Sequence, residues 1–109
     1  MRAMVLDKVF KALGDPTRRE ILRLLRSEDM SAGRIAEEFP IAKSTLSGHL
    51  NVLKEANLVV SERSGTTITY SLNVGVYEEM LGAVMDLLGV GAEERAKKEG
   101  EGDAYQPAD

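Results

Sequence analysis

The sequence predicts a mainly α domain that carries one small β-hairpin. Three observations lead there. Apolar residues recur at helical spacing in five separate stretches. Two β-branched runs flank a Ser-Gly-Thr turn near residue 65. The chain of 109 residues has room for about one domain.

The first helix is expected from Arg2 to Leu13. At helical spacing Val5, Leu6, Val9, Phe10, Ala12 and Leu13 fill an arc of about 160°, broad enough to meet more than one surface. Asp15-Pro16 opens the second helix, because Asp caps well and Pro suits the first helical position. Ile21, Leu22, Leu24 and Leu25 are its apolar face, and it ends near Arg26. Ser31 caps a short third helix, Ala32 to Phe39, which Pro40 stops. The fourth runs from about Lys43 to Ala56. Leu46, Leu50 and Leu53 form its inner stripe, opposite a small polar face of Ser44, Ser47, Gly48 and Asn51. Leu58 to Arg63 and Thr67 to Leu72 read as strands joined by Ser64-Gly65-Thr66. Asn73 can cap a last helix, Val74 to Leu88, with Tyr77, Met80, Leu81, Val84, Leu87 and Leu88 as its stripe.

A short helix, a turn, a second helix and a hairpin make a winged helix-turn-helix. Residues 1–90 form that domain. Residues 91–109 hold six acids and three bases and read as an acidic, disordered tail.

Composition removes several functions. With no cysteine there is no disulfide, thiolate metal site or cysteine nucleophile. A single histidine, His49, cannot build a multi-histidine metal centre within one chain. No apolar run approaches the roughly 18–20 residues that span a bilayer. Asp7, Lys8 and Lys11 interrupt the apolar start, so it is not read as a signal peptide, and the cytoplasm is the expected location. The acid pairs Glu37-Glu38 and Glu78-Glu79 face different directions on a helix and make poor catalytic pairs. Thr45 and His49, at i and i+4, could form a hydroxyl–imidazole pair, but nothing in the sequence supplies an orienting acid. The chain is therefore not read as an enzyme, and no cofactor is expected.

The net charge of −4 counts mildly against nucleic acid as partner and favours a second possibility, a protein-interaction module. Of that charge, −3 belongs to residues 91–109. The fourth helix argues the other way. Its small hydroxyl side chains, Ser44, Thr45 and Ser47, allow close approach to a major groove and can bond phosphates or base edges. Lys43 adds a cation at a helix start that already favours phosphate. Arg18 and Arg19 sit poorly with the dipole of the second helix. One is expected to pair with a neighbouring acid, Asp15 or Glu20, and the other to reach DNA, with structural pairing as the preferred reading. Met80 and Met85 are read as packing residues rather than as a sensor pocket.

At this point the chain resembles the ArsR family of bacterial winged-helix repressors. The stretches that carry the resemblance are VFKALGDPTRREILRLL, SAGRIAEEFPIAKSTLSGHLNVLKEANLV and RSGTTITYSL, in order and across most of residues 5–88. Within that family it resembles the SdpR-like autorepressors, which lack metal-binding cysteines. The resemblance implies a homodimer built from the first and last helices, with Val5, Val9, Tyr77, Met80, Leu81, Val84 and Leu88 at its interface. It implies that Lys43, Ser44, Thr45, Ser47 and Gly48 enter the major groove of double-stranded DNA carrying an inverted repeat, with His49 at the edge. His49 is otherwise a half-buried ring with one hydrogen bond. Arg63, Thr66 and Thr67 would be the wing contacts. Release by a membrane anti-repressor protein is a further implication, with no lipid insertion by this chain. Two positions depart from the family. Gly48 stands where many relatives carry His or Arg, and Ala42 where Ser often caps the recognition helix.

Overall fold

The computed structural model describes residues 2–91, with side chains from Leu6 onward. The elements are α1 (Arg2–Leu13), α2 (Pro16–Ser27), β1 (Met30–Ser31), α3 (Ala32–Ala36), α4 (Lys43–Glu55), β2 (Val59–Ser64), β3 (Thr67–Leu72) and α5 (Val74–Leu88). The acidic segment from residue 92 onward lies outside the described residues.

Local chemistry explains the boundaries. Asp15 has extended backbone and its carboxylate accepts the Thr17 amide at 2.8 Å and the Arg18 amide at 3.2 Å, with Pro16 following. Burial pushes the Asp15 pKa up. The Arg18 and Thr17 amides, with the nearby Arg18 charge, more than offset it, so the group ends below the ordinary aspartate range. A depressed carboxylate adds stability above its unfolded pKa of about 3.9 and loses it as pH falls through the lower folded value. Asp15→Asn keeps an acceptor but not the charge. Denaturant titrations between about pH 5 and pH 2 should therefore show wild-type stability falling more steeply than the variant's. Parallel curves would refute this.

The third helix is shorter than expected and ends at Ala36. Glu38 bonds back to the Ile35 carbonyl at 3.0 Å and Phe39 to Ala36 at 3.4 Å, three residues apart, so the last turn tightens and stops. Pro40 disfavours helical backbone at Phe39, and in a continued helix its ring would clash with the Ala36 carbonyl one turn upstream. Ser31 caps α3 as expected, its hydroxyl accepting the Arg34 amide at 3.1 Å.

The α4 C-terminus is a Schellman motif. Asn57 takes the left-handed conformation, φ 61°. Its amide bonds the Lys54 carbonyl and the Leu58 amide bonds Leu53. Leu58 is thereby driven into the core beside Leu53, so β2 starts at Val59 rather than at Leu58. Asn73 precedes α5 but does not cap it with its side chain. Its amide nitrogen donates instead to the Asn57 carbonyl at 3.0 Å, and its backbone N–H to Leu58. The left-handed turn at Asn57 exposes those carbonyls and so captures the expected cap.

The sheet has three strands, not two, in the order β1-β3-β2, all antiparallel. Met30 pairs with Tyr70 and Ser31 with Thr69, tying the α2–α3 link to the wing. A two-residue strand has no periodicity to read. Ser64 pairs with Thr67 around a two-residue loop, in which Gly65 has φ 67°. A β-branched residue would be strained there.

One core joins all these pieces. Val9 and Ala12 of α1, Ile21 and Leu25 of α2, Ile35 of α3 and the Leu46, Leu50 and Leu53 stripe of α4 close on Leu58, Val59 and Tyr70. No side chain of α5 is buried, although Val76, Tyr77 and Met80 pack against the core.

Candidate nucleic-acid interface

Burying Leu46, Leu50 and Leu53 turns the opposite side of α4 outward. Lys43, Ser44, Thr45, Ser47 and Gly48 are all exposed on it. The helix opens at Ala42, whose backbone is extended (φ −65°, ψ 148°) and which offers no side-chain cap. The first-turn amides therefore remain available to an anion.

Gly48 has no heavy atom within 4 Å of where a Cβ would stand. The site is open, so the conformational freedom of glycine is not required by packing. Gly48→Ala should therefore raise stability by about 1 kcal/mol, read as a higher denaturant midpoint with an unchanged slope. A lower midpoint would mean that the surrounding helix does not tolerate the methyl group.

At the wing, Arg63 lies on β2 opposite Ile68, with Thr66 in the loop and Thr67 at the first pair of β3; the cation and both hydroxyl residues are exposed. The wing and α4 are held together because β2 follows the Schellman turn directly and packs on the α4 stripe.

Arg18 and Arg19 do not form the expected ion pair with Asp15 or Glu20. Arg18 Nε donates to the Ala12 carbonyl at 2.8 Å and Nη2 to Lys11 at 2.8 Å. Arg19 Nη1 donates to the Leu13 carbonyl at 2.7 Å. Both reach back to the α1 C-terminus, where the helix dipole favours cations. Glu20 pairs with Arg23 instead, at 2.8 Å on the surface. The remaining Arg18 nitrogen, Nη1, lies 3.1 Å from His49 Nδ1. Arginine only donates, so this bond needs the Nδ1 lone pair and the Nε2–H form of the ring. His49 is half-buried at the border of the α4 face, and its Nδ1 is not available to Thr45.

The apolar residues expected between subunits divide into two groups. Val9 is 0% exposed and belongs to the chain's own core, so it presents nothing to a partner. One helical step of 100° separates it from Phe10, which is 47% exposed. Tyr77 and Met80 pack inward against the core, and the Tyr77 hydroxyl donates to the Leu58 carbonyl at 3.1 Å. Burial pushes the Tyr77 pKa up. Val84 is half-buried, while Leu81 and Leu88 are 56% and 67% exposed. The Val5 side chain lies outside the described residues. Sequence reasoning did not single out Phe10 or Leu87 for this surface, although both lay in apolar arcs that it identified.

Among the described residues, no three or more His, Cys, Asp or Glu side chains are grouped to hold a metal ion. No helix among them is long and apolar enough to cross a membrane.

A buried-stripe helix with an open polar face, seated beside a β-hairpin, defines a winged helix-turn-helix DNA-binding regulator. Comparison with known proteins agrees. Residues 13–62 match the model of a helix-turn-helix domain. The chain is 45% identical over 86 residues to the transcriptional repressor SdpR of Bacillus subtilis, covering 79% of this chain and 96% of that protein. It is 37% identical over 78 residues to the nodulation protein NolR of Rhizobium meliloti, covering 72% and 64% of the two. The ArsR-like transcriptional regulator from Rhodococcus sp. RHA1 superposes with a TM-score of 0.71 at 28% identity, covering 95% of this chain and 98% of that one. The chain belongs to the ArsR family of transcriptional repressors.

Proposed function

We propose that the chain acts as a cytoplasmic homodimer, formed through α1 and α5, that represses transcription by binding an inverted repeat in double-stranded DNA, its own upstream region included. The exposed row Lys43, Ser44, Thr45, Ser47 and Gly48 above a buried leucine stripe carries this reading. It is the part of the fold that fits a major groove. Arg63, Thr66 and Thr67 at the wing tip reach the flanking backbone. Two-fold symmetry puts the half-sites about one helical turn apart. Support for the dimer comes from α5, a 15-residue helix with no buried side chain, which keeps Leu81 and Leu88 in solvent unless a partner covers them. The acidic segment 91–109 lies apart from this machinery in sequence and is not needed by it.

The binding is salt-sensitive, because each neutralised phosphate steepens the log–log salt dependence by about 0.9. The test is retardation and footprinting of the upstream duplex by wild-type protein and by Lys43→Ala/Ser47→Ala. Wild type should bind at low salt. The double variant should lose operator binding and stay dimeric. Normal DNA affinity in that variant would shift the reading to a protein-interaction module. Similarity to SdpR-like autorepressors supports release by a membrane anti-repressor. A neighbouring gene for a small membrane protein would support it further; release of DNA by a metal or small molecule would overturn it.

A further inference from the structure

Arg18 links three helices through one rigid group. It stands in the first turn of α2 and spends Nε and Nη2 on consecutive carbonyls of α1, Ala12 and Lys11. It spends Nη1 on His49 of α4, 31 residues away in sequence. A guanidinium is planar, with its N–H bonds in a fixed fork, so three simultaneous bonds fix the orientation of one helix against another. α1 is the helix whose Phe10 is uncovered, and it packs against both α4 and α5. α4 carries the groove-facing row, with His49 one residue beyond Gly48. The path from the dimer surface to the groove-facing row thus passes through the α1 C-terminus, Arg18 and His49.

We propose that Arg18 and His49 form a positioning pair for operator recognition: they set the angle of α4 against α1, and so the spacing and tilt of the two recognition helices in the dimer. The proposal rests on the dimeric operator-binding reading. His49 serves as an acceptor at Nδ1, which holds its ring as the Nε2–H tautomer. Random DNA is bound through phosphate charge and tolerates a tilted helix, whereas an inverted repeat read by two helices does not. The pair therefore governs the ratio of specific to random binding.

Asparagine places Oδ1 close to where the histidine Nδ1 stands, so it keeps the acceptor and discards the rest of the ring. Leucine keeps comparable bulk and discards the acceptor. Four proteins are compared at one salt concentration: wild type, His49→Leu, His49→Asn and Arg18→Lys/His49→Leu. Each is titrated with the footprinted operator and with a random duplex, and is checked for dimerisation and thermal midpoint. His49→Leu should lose about tenfold or more on the operator, with random-duplex affinity unchanged and the dimer intact. His49→Asn should recover operator affinity to within about threefold of wild type. The double variant should lose more on the operator than His49→Leu, because Arg18→Lys also gives up the fork that holds the Ala12 and Lys11 carbonyls of α1. In wild type, nitrogen NMR of the ring should show a protonated Nε2 and an unprotonated Nδ1.

Wild-type specificity in His49→Leu would overturn the proposal. Equal losses on operator and random DNA with a lowered thermal midpoint would also overturn it, because they mark a merely structural bond. So would failure of His49→Asn to rescue. If wild type itself bound no inverted repeat, the dimer reading would fall, and this proposal with it. Wild-type binding with unaltered variants removes this proposal alone.

Discussion

Leu81→Asp/Leu88→Asp should convert the proposed dimer into a folded monomer that has lost operator affinity on the order of a hundredfold or more. The two residues are seven apart on α5, on one face, and are 56% and 67% exposed in the isolated chain. An aspartate at either position stays in water in the monomer, so the fold loses little. In a dimer the same carboxylates would be buried, unpaired, on both sides of the two-fold axis. Uncompensated buried charge costs several kcal/mol, which works directly against association. A monomer holds one half-site at a time and forfeits the effective concentration that links the second recognition helix to the first, worth about 10²–10⁴ in affinity. Sedimentation equilibrium, circular dichroism and operator titration of the same sample decide it. A variant that remains dimeric and binds normally would place the interface elsewhere.

Leu53→Ala should cost about 2–5 kcal/mol of folding stability. Leu53 has no solvent exposure, closes the inner stripe of α4 and meets Leu58 across the Schellman turn. Truncation leaves a cavity in a core to which α1, α2, α3, α4 and β2 all contribute, and their backbones cannot all collapse into it. For a domain whose whole stability is about 5–15 kcal/mol, this is a large fraction. The site of the loss matters for function, because the same turn sets where β2 leaves α4 and therefore where the wing points. Denaturant unfolding should show a lower midpoint with an unchanged slope, and operator binding should vanish at a lower temperature than in wild type. An unchanged midpoint would mean that the core repacks around the alanine.

Much of this architecture is legible in the sequence because its punctuation is local. Asp15-Pro16 announces the start of α2, and its carboxylate is found on the amides two and three residues ahead. Gly65 marks the wing turn because only a residue tolerant of positive φ fits there. The Leu46, Leu50 and Leu53 stripe both shows the helix and tells which face is left outward. The misreadings have a common physical origin. The strand β1 is only two residues long and exists because β3 lies beside it. The side chain of Asn73 was expected at the helix it precedes, but the Asn57 carbonyl sixteen residues upstream competes better for it. Val9 and Phe10 share one apolar arc, and only the packing of α1 against α4 and α5 decides which of them turns inward.

The sequence by itself determined the order of the five helices and the hairpin, the polar face of α4 and the family, because spacing, caps and turn residues act over a few positions and leave their pattern in the chain. The tertiary structure alone decided where the charges and uncovered surfaces end up. Arg18 and Arg19 look misplaced at the start of α2 until the end of α1 is seen folded against them. His49 gains a defined tautomer only once Arg18 arrives from 31 residues away. The reason is that hydrogen-bond partners and burial are set by distance in space, and a helical or alternating pattern carries no information about which distant group will fill the position beside it.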